Sequence, residues 1–325
     1  MAATDDITER LRAATIASHP LLCRLNEIGN IRSFDGGRTI IEELQFPVLV
    51  EPTQFPPFTW YSGYESVKDG YKPANNLHRH QMEETHFTAS EYPIRQAAVA
   101  LYEKGPNDDP EIDPLAEAIK SASKMTSHAV SIGGGKNSIN SLPDLVSATP
   151  TIGIVGGIGR DHYRFWRNLS VSYRDGMSLP EVMGLMMNRL SLIEHVNAKK
   201  LHRPDLILMG KEDFDIFKSS MPKNVLKAKY SDWGFESIDL GETAVVLDPN
   251  IDISIENYSV VGPRIYFLHT KYFNWRIYKN RNWIKLDPDR FYEEASGKPL
   301  PDLYAWAGNL TLSCIYVQGV LHRVS

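Results

Sequence analysis

The sequence predicts an α+β fold, in which helices and strands occupy separate parts of the chain. Three observations predict it. The run from Arg38 to Val50 has a hydrophobic period of two, which is typical of a strand. The segment from Asp113 to Ala129 has a helical period behind a helix-start signal. Strand-like runs dominate from Ser237 onward, so strands and helices do not alternate regularly as they do in α/β proteins.

The composition limits the classes of protein to which the chain can belong. It has 325 residues, of which 42% are hydrophobic, enough for one large or two moderate domains. The net charge is -5 and no dense basic patch is present, so a strong grip on nucleic-acid phosphates is not expected. Cys23 and Cys314 are too few and too far apart for a disulfide framework, so we expect two buried or idle thiols in a reducing compartment.

Membrane and export signals are also missing from the sequence pattern. The acidic start lacks the basic and apolar regions of a signal peptide. No apolar stretch approaches the about 18 residues that cross a bilayer. We therefore expect a soluble protein, made in a cytoplasm, without a membrane partner.

The amino-terminal segment from Ile7 to Ile31 has loosely spaced leucines and isoleucines, and Pro20 interrupts it. This pattern predicts a short helix followed by an arm that has little core of its own. Such a segment is stable only where it lies on another surface.

The next region predicts a long two-stranded projection. Pro47 and Pro52 favour an edge or protruding strand for the run from Arg38 to Val50. Residues 56–76 are rich in Pro, Gly, Tyr and Asn, which indicates a long tip, and Thr85 to Ile94 is the expected returning strand. An isolated hairpin is marginally stable in water, so this projection needs a partner surface, such as one on another subunit.

Two helices follow from local signals. Asp113 and Pro114 predict an N-cap and a first helical residue. The helix behind them has an apolar face and must end before Gly133; the face is Leu115, Ala118, Ile119, Ala122, Met125 and Ala129. The run from Ser178 to Glu181 predicts a capping box for a second helix. Its apolar stripe is Val182, Met183, Met186, Leu190 and Ile193, and we expect the methionines to fill the core.

The remaining elements are short. The pattern predicts a buried strand at Asp205–Gly210 and a helix at Glu212–Met221. Further strands are predicted at 243–247, 251–255, 265–268 and 309–317.

Two glycine-rich stretches invite a nucleotide-binding interpretation and do not support it. In Gly133–Asn137, Val130 stands where a phosphate loop has its first glycine, and Asn137 replaces Ser or Thr. A flexible turn after the helix is the favoured interpretation. In Thr151–Gly159 the glycine spacing does not match a dinucleotide fingerprint, and no clear helix pattern follows.

One group of residues offers an enzymatic alternative. His78, His80 and Glu84 resemble the first metal motif of the cupins, and imidazole and carboxylate suit iron, manganese or zinc. The second cupin motif is not matched, because His269 after Gly262 and Pro263 does not keep its spacing. A solvated polar strand is the favoured interpretation, and a metal-dependent cupin-like enzyme stays as the alternative. We assign no catalytic, cofactor-binding or metal-ligating residue.

Several segments together resemble the major capsid proteins of tailed bacteriophages. The similarity extends over most of the chain from about Arg38 onward and is least specific in the amino-terminal segment. In one motif Gly159 stands where many members of the family have Asp. The segments that carry the resemblance are Phe58–Glu65, Ile132–Gly134, Gly156–Arg160 with Phe165–Asn168, Arg203–Met221 and Pro263–Ser325.

The resemblance implies the Johnson fold, which is also found in the shell floors of herpesviruses. In this chain it implies five parts. They are an amino-terminal arm at 1–36, an extended β loop at 37–95, a peripheral domain with a spine helix at 96–145, an axial domain at 146–299, and a carboxy-terminal strand returning to the peripheral domain at 300–325.

The resemblance also implies a structural, non-enzymatic function without a cofactor. Copies of the chain would form hexamers and pentamers that tile an icosahedral shell around double-stranded DNA, which they would contact weakly and without specificity. Further expected partners are a portal and scaffold or decoration proteins, and the expected location is the virion, assembled in the host cytoplasm. Large aromatic residues near the loop tip would supply interface area: Trp60, Tyr61, Tyr64 and Tyr71.

Overall fold

The computed structural model describes residues 2–34, 43–46, 90–101, 113–133, 138–174, 176–191, 203–222, 233–252, 264–286 and 302–324. The helices are α1 Ala2–Ala17, α2 Pro20–Glu27, α3 Pro114–Ser131, α4 Leu142–Leu145, α5 Leu179–Ser191 and α6 Lys211–Ser220. The strands are β1 Ile31–Phe34, β2 Glu43–Phe46, β3 Ser90–Pro93, β4 Arg95–Leu101, β5 Ile154–Val155, β6 Ile158–Gly159, β7 Leu169–Arg174, β8 Leu206–Met209, β9 Ser237–Asp239, β10 Ala244–Leu247, β11 Arg264–Leu268, β12 Phe273–Leu286, β13 Asp302–Leu312 and β14 Gly319–Val324. The predicted α+β class is confirmed.

One sheet has four strands in the order β1-β12-β13-β4, with β1 parallel to β12 and the other pairs antiparallel. Helix α1 packs against α3 and β12, and α3 packs against β4. The stacked rings of Trp275 and Trp306, 4.9 Å apart, lie in this sheet. Its buried side chains therefore belong to a core that is shared with the amino-terminal helices.

The amino-terminal segment lies on the body of the molecule. Leu11, Leu21, Leu22 and Leu25 are fully buried, so these helices are part of the main core. Pro20 separates two helices because it occupies the first turn of α2, where a missing N–H costs nothing.

The second sheet has six strands in the order β7-β14-β11-β8-β10-β9. Both of its faces are buried. Leu206 and Leu208 on β8 face the main core, whereas Ile207 and Met209 face a second core beneath α5 and α6. This explains why the predicted strand at 205–210 is an unbroken apolar run.

The base of the predicted projection is present in the structure. Strands β2 and β3 pair antiparallel, with Glu43 opposite Pro93 and Phe46 opposite Ser90. Residues 47–89, for which the sequence predicts the rest of the projection, lie outside the described residues, and they include its aromatic residues and its histidines.

The two helices predicted from cap signals form, with one correction. The Asp113 side chain accepts a hydrogen bond from the N–H of Leu115, and α3 ends at Ser131, before Gly133. Met125 was predicted in the buried face but is 44% exposed. Helix α5 buries Val182, Met183, Met186 and Leu190 as predicted, whereas Ile193 lies outside the described residues.

The end of the chain differs from the prediction. Strand β13 belongs to the four-stranded sheet and β14 to the six-stranded one, so 300–325 is not a single returning strand. The predicted strand at 309–317 stops at Leu312, because Gln318 holds a turn by donating to the carbonyl of Cys314 and accepting from the N–H of His269. Ile251 and Asp252 lie in a turn and not in a strand.

Candidate functional site

A buried cluster of serine, histidine and aspartate joins three parts of the chain that are distant in sequence. His19 Nε2 lies 3.0 Å from Asp248 Oδ2, and Ser131 Oγ lies 2.7 Å from the same oxygen. The His19 and Asp248 side chains are fully buried. Serine, histidine and aspartate also form the catalytic triad of serine hydrolases, in which the histidine takes the proton of the serine hydroxyl.

The cluster lacks the arrangement of a catalytic triad. His19 Nδ1 accepts a hydrogen bond from the N–H of Leu21, so the ring proton is on Nε2, which faces both Asp248 and Ser131. A ring in this tautomer has no free nitrogen with which to take a proton from Ser131. The cluster instead caps α2 and links it to α3 and to the turn after β10.

The electrostatics of Asp248 agree with a structural role. Burial alone would raise its pKa, but the His19 ring, the Ser131 hydroxyl and the N–H of Asn250 hold the pKa below its ordinary value. The carboxylate is therefore kept charged inside the protein. Sequence analysis missed this cluster because His19 and Asp248 are 229 positions apart and belong to no local motif.

The glycine-rich stretch at 151–159 forms a tight hairpin of β5 and β6. Gly156 and Gly157 connect the strands with φ values of 55° and 75°, which is the left-handed geometry of a two-residue hairpin turn. Two buried side chains fix the hairpin on the body. Trp166 Nε1 donates to the carbonyl of Val155, and Arg160 Nη2 donates to the carbonyl of Leu145.

Arg160 is a buried cation, only 2% exposed. Burial lowers the pKa of its guanidinium to about 10, with Tyr92 and Asp144 opposing that effect. Its carbonyl accepts from Arg167 Nε, and Asn168 exchanges two hydrogen bonds with the backbone of Ser147. Arg160 and Asn168, which belong to the motif at 156–168, thus stabilise the loops that they join by hydrogen bonds.

The hairpin carries two exposed apolar residues at its start. Ile152 and Ile154 are 69% and 75% exposed on either side of Gly153. Leu185 on α5 and Met177 just before it are 60% and 54% exposed.

The residues of the enzymatic alternative, His78, His80 and Glu84, all lie outside the described part of the chain. Within the described ranges, no group of three or more His, Cys, Asp or Glu side chains is placed to hold a metal ion. Cys23 and Cys314 are both buried and are not joined in a disulfide, and burial raises the pKa of Cys23 to about 11, which disfavours the reactive thiolate. None of the described helices combines the length and the apolar character that crossing a membrane requires.

Comparison with known proteins shows similarity in structure but not in sequence. No model of a protein family matches the chain, and no curated protein sequence does. The capsid of an empty GTA particle superposes with a TM-score of 0.51 at 11% identity, covering 93% of this chain and 90% of that one. The capsid of cyanophage A-1(L) gives 0.52 at 11% identity, covering 90% and 89%. A structure from Mycobacterium phage Ogopogo gives 0.50 at 9% identity, covering 92% and 91%.

These similarities establish the fold. The chain has the Johnson fold of phage capsid subunits over nearly its full length, as the sequence resemblance implied.

Proposed function

We propose that this chain is a major capsid protein, whose copies assemble into a closed shell. One observation carries the proposal. The structures that it matches in fold include capsid subunits, and the match covers about nine tenths of both partners, so no large catalytic insertion separates them. Fold alone does not fix function. The surface features of the described residues add independent support.

A shell requires many copies joined by heterologous contacts that close on themselves. Each contact can be modest, because closure makes the assembly multivalent. The exposed isoleucines of the hairpin at 154–159 and the base of the projection at 43–46 and 90–93 suit this requirement. The edge strands β1, β4, β7 and β9 of the two sheets also offer backbone groups to a neighbour.

The finer features of the proposal come from the family resemblance. Hexamers and pentamers of the chain form an icosahedral shell around double-stranded DNA, with a portal and with scaffold or decoration proteins as further partners. The virion is its location, after assembly in the host cytoplasm. The net charge of -5 suits a wall that holds DNA without binding it tightly.

The domain division is part of the same proposal, with changes at the sheets. An arm at 1–36, an extended loop at 37–95, a peripheral domain at 96–145 and an axial domain at 146–299 are retained, except that Phe273–Leu286 pairs with β13 in the four-stranded sheet. Residues 302–312 and 319–324 are assigned to the four-stranded and six-stranded sheets respectively. No catalytic or metal-binding residue is proposed, and no observation favours the cupin alternative.

Expression of the full chain and electron microscopy test the proposal. We expect closed particles or ring-shaped capsomers, and light scattering in the megadalton range for the particles. A protein that stays a monomer or dimer at every concentration, with or without added scaffold protein, would contradict a shell-forming function. Activity of a metal-loaded sample that His78→Ala abolishes would favour the enzymatic alternative instead.

A further inference from the structure

A cleft of about 540 Å³ lies between α3 and the four-stranded sheet. Its walls are largely apolar and include the rings of Trp275, Trp283 and Trp306, with Met125 among the residues of α3. This position explains why Met125, predicted in the core, is 44% exposed.

Three residues that line the cleft carry hydrogen-bond donors that have no acceptor among the described residues. They are Arg95 Nε, Trp275 Nε1 and Trp306 Nε1, and all three atoms are buried. Trp275 and Trp306 as whole residues are 1% and 4% exposed. By contrast, the indole N–H of Trp283 is satisfied, because it donates to Thr15. Leaving a buried donor without an acceptor is unfavourable, and none of the described residues supplies one to these three atoms.

The charge of the lining indicates what kind of acceptor fits. Arg95, Lys124 and His128 line the cleft, and none of its described lining residues is an aspartate or glutamate. A carboxylate would gain charge-assisted hydrogen bonds there, and the apolar part of its side chain would lie against the indole rings. Each copy of the chain brings 40 acidic residues against 35 basic ones, so a second copy offers an excess of carboxylates.

We propose that this cleft binds an acidic side chain of a second copy of the chain, with the carboxylate beside Arg95 and Lys124. The proposal rests on the proposed shell function, which brings copies into contact. It makes the cleft a site to which a neighbouring copy adds a carboxylate, since none of the described lining residues carries one.

Zero-length cross-linking tests the site directly. A carbodiimide joins the Lys124 amine to a carboxylate only where the two groups touch. Mixing copies labelled with nitrogen-15 and unlabelled copies before assembly distinguishes bonds between copies from bonds within one. We expect mass spectrometry to find Lys124 joined to an Asp or Glu of another copy, and this also identifies the acidic residue.

Matched variants measure the contribution of the cleft. Lys124→Gln removes the exposed cation, and Lys120→Gln is the control, since Lys120 lies one turn earlier on α3, pairs with Glu117 and does not line the cleft. We expect Lys124→Gln to raise the protein concentration needed for association about tenfold, and Lys120→Gln to leave it unchanged. Arg95→Gln should act like Lys124→Gln, and circular dichroism checks that the variant is folded.

The outcomes separate this inference from the proposed function. One outcome is that particles form without a Lys124 cross-link between copies, and that the Lys124 and Lys120 variants behave alike. This contradicts the inference about the cleft and leaves the proposed shell function standing. Small oligomers that carry the cross-link support the inference about the cleft and contradict the proposed shell function. A chain that never associates overturns both.

Discussion

At the scale of single residues, Gly308 shows how closely the four-stranded sheet is packed. A Cβ atom at this position would lie 2.1 Å from the carbonyl oxygen of Arg276 and 2.8 Å from the ring of Trp306. The first neighbour is backbone in the adjacent strand and cannot move away without breaking the pairing. The stacking of Trp306 on Trp275 therefore depends on the missing side chain.

We expect Gly308→Ala to lower the free energy of unfolding by about 1–3 kcal/mol, the usual cost of overpacking. Gly184→Ala in α5 is the matched change, because a Cβ there meets nothing within 4 Å. Gly184→Ala should raise the free energy of unfolding by about 0.5–1 kcal/mol, because alanine has a better helix propensity than glycine. Urea denaturation of the soluble subunit measures both, and effects of the same sign would show that the packing at Gly308 is looser than described.

Asp248 is the second position where one side chain matters. We expect Asp248→Asn to lower the free energy of unfolding by about 3 kcal/mol at pH 7, because it removes the buried charged acceptor of the hydrogen bonds from His19 Nε2 and Ser131 Oγ. The folded-state pKa of Asp248 is lowered, so its stabilising effect is fully present above the unfolded pKa and is lost as the pH falls through the folded pKa. The difference between the two proteins should therefore shrink below about pH 4.

Denaturation at pH 7 and pH 3 checks this prediction. Glu117→Gln is the control, since Glu117 forms only an exposed pair with Lys120 and should change stability by less than about 1 kcal/mol. A difference between wild type and Asp248→Asn that is the same at both pH values would show that Asp248 is not held charged.

At the scale of elements, α1 packs against β12 where the pairing of β12 with β13 is irregular. The register of β12 against β13 shifts around Asn282, and Trp283 has a φ of 55°. Three hydrogen bonds join α1 to Asn282 and Trp283. Thr8 Oγ1 donates to the carbonyl of Trp283, Arg12 Nε donates to the carbonyl of Asn282, and Thr15 Oγ1 accepts from the indole of Trp283. The amino-terminal helix therefore stabilises a left-handed residue that would be strained alone.

We expect Thr15→Val to lower the free energy of unfolding by about 1–3 kcal/mol, because it leaves the buried Trp283 N–H without an acceptor. Hydrogen exchange should be faster at β12 residues near Asn282. Thr149→Val, at an exposed threonine, is the control. Unchanged exchange at β12 in Thr15→Val would mean that α1 does not support the irregular point.

Elements with a strong local signal could be predicted from the sequence, and those defined by distant contacts could not. Asp113 with Pro114 and the unbroken run Leu206–Met209 each specify their element locally. The division of 300–325 into two strands depends on a turn held by Gln318 through His269, 49 positions away. The same limit hid the link between His19 and Asp248, and it hid the cleft, whose donors come from three strands.

At the scale of the whole molecule, two sheets share one core, and the amino-terminal helices complete it. The described part of the subunit is thus well packed, whereas Ile152, Ile154 and the cleft remain open at its surface. We expect stability and assembly to be separable by mutation.

Trp60→Ala tests this separation in the projection. We expect the variant subunit to remain soluble, with an unchanged free energy of unfolding, but to assemble poorly, because a large aromatic contact is lost. Electron microscopy and particle yield measure the effect. Normal shells in normal yield would contradict the prediction that the aromatic residues near the loop tip join subunits.

The position of the last two strands has a consequence for biosynthesis. Strand β13 lies between β12 and β4, and β14 lies between β7 and β11, so each sheet lacks an interior strand until residues 302–324 have been translated. A nascent chain on the ribosome cannot close either sheet. Products terminated before residue 302 therefore lack an interior strand in both sheets, so a truncated chain cannot adopt the fold of the full-length one.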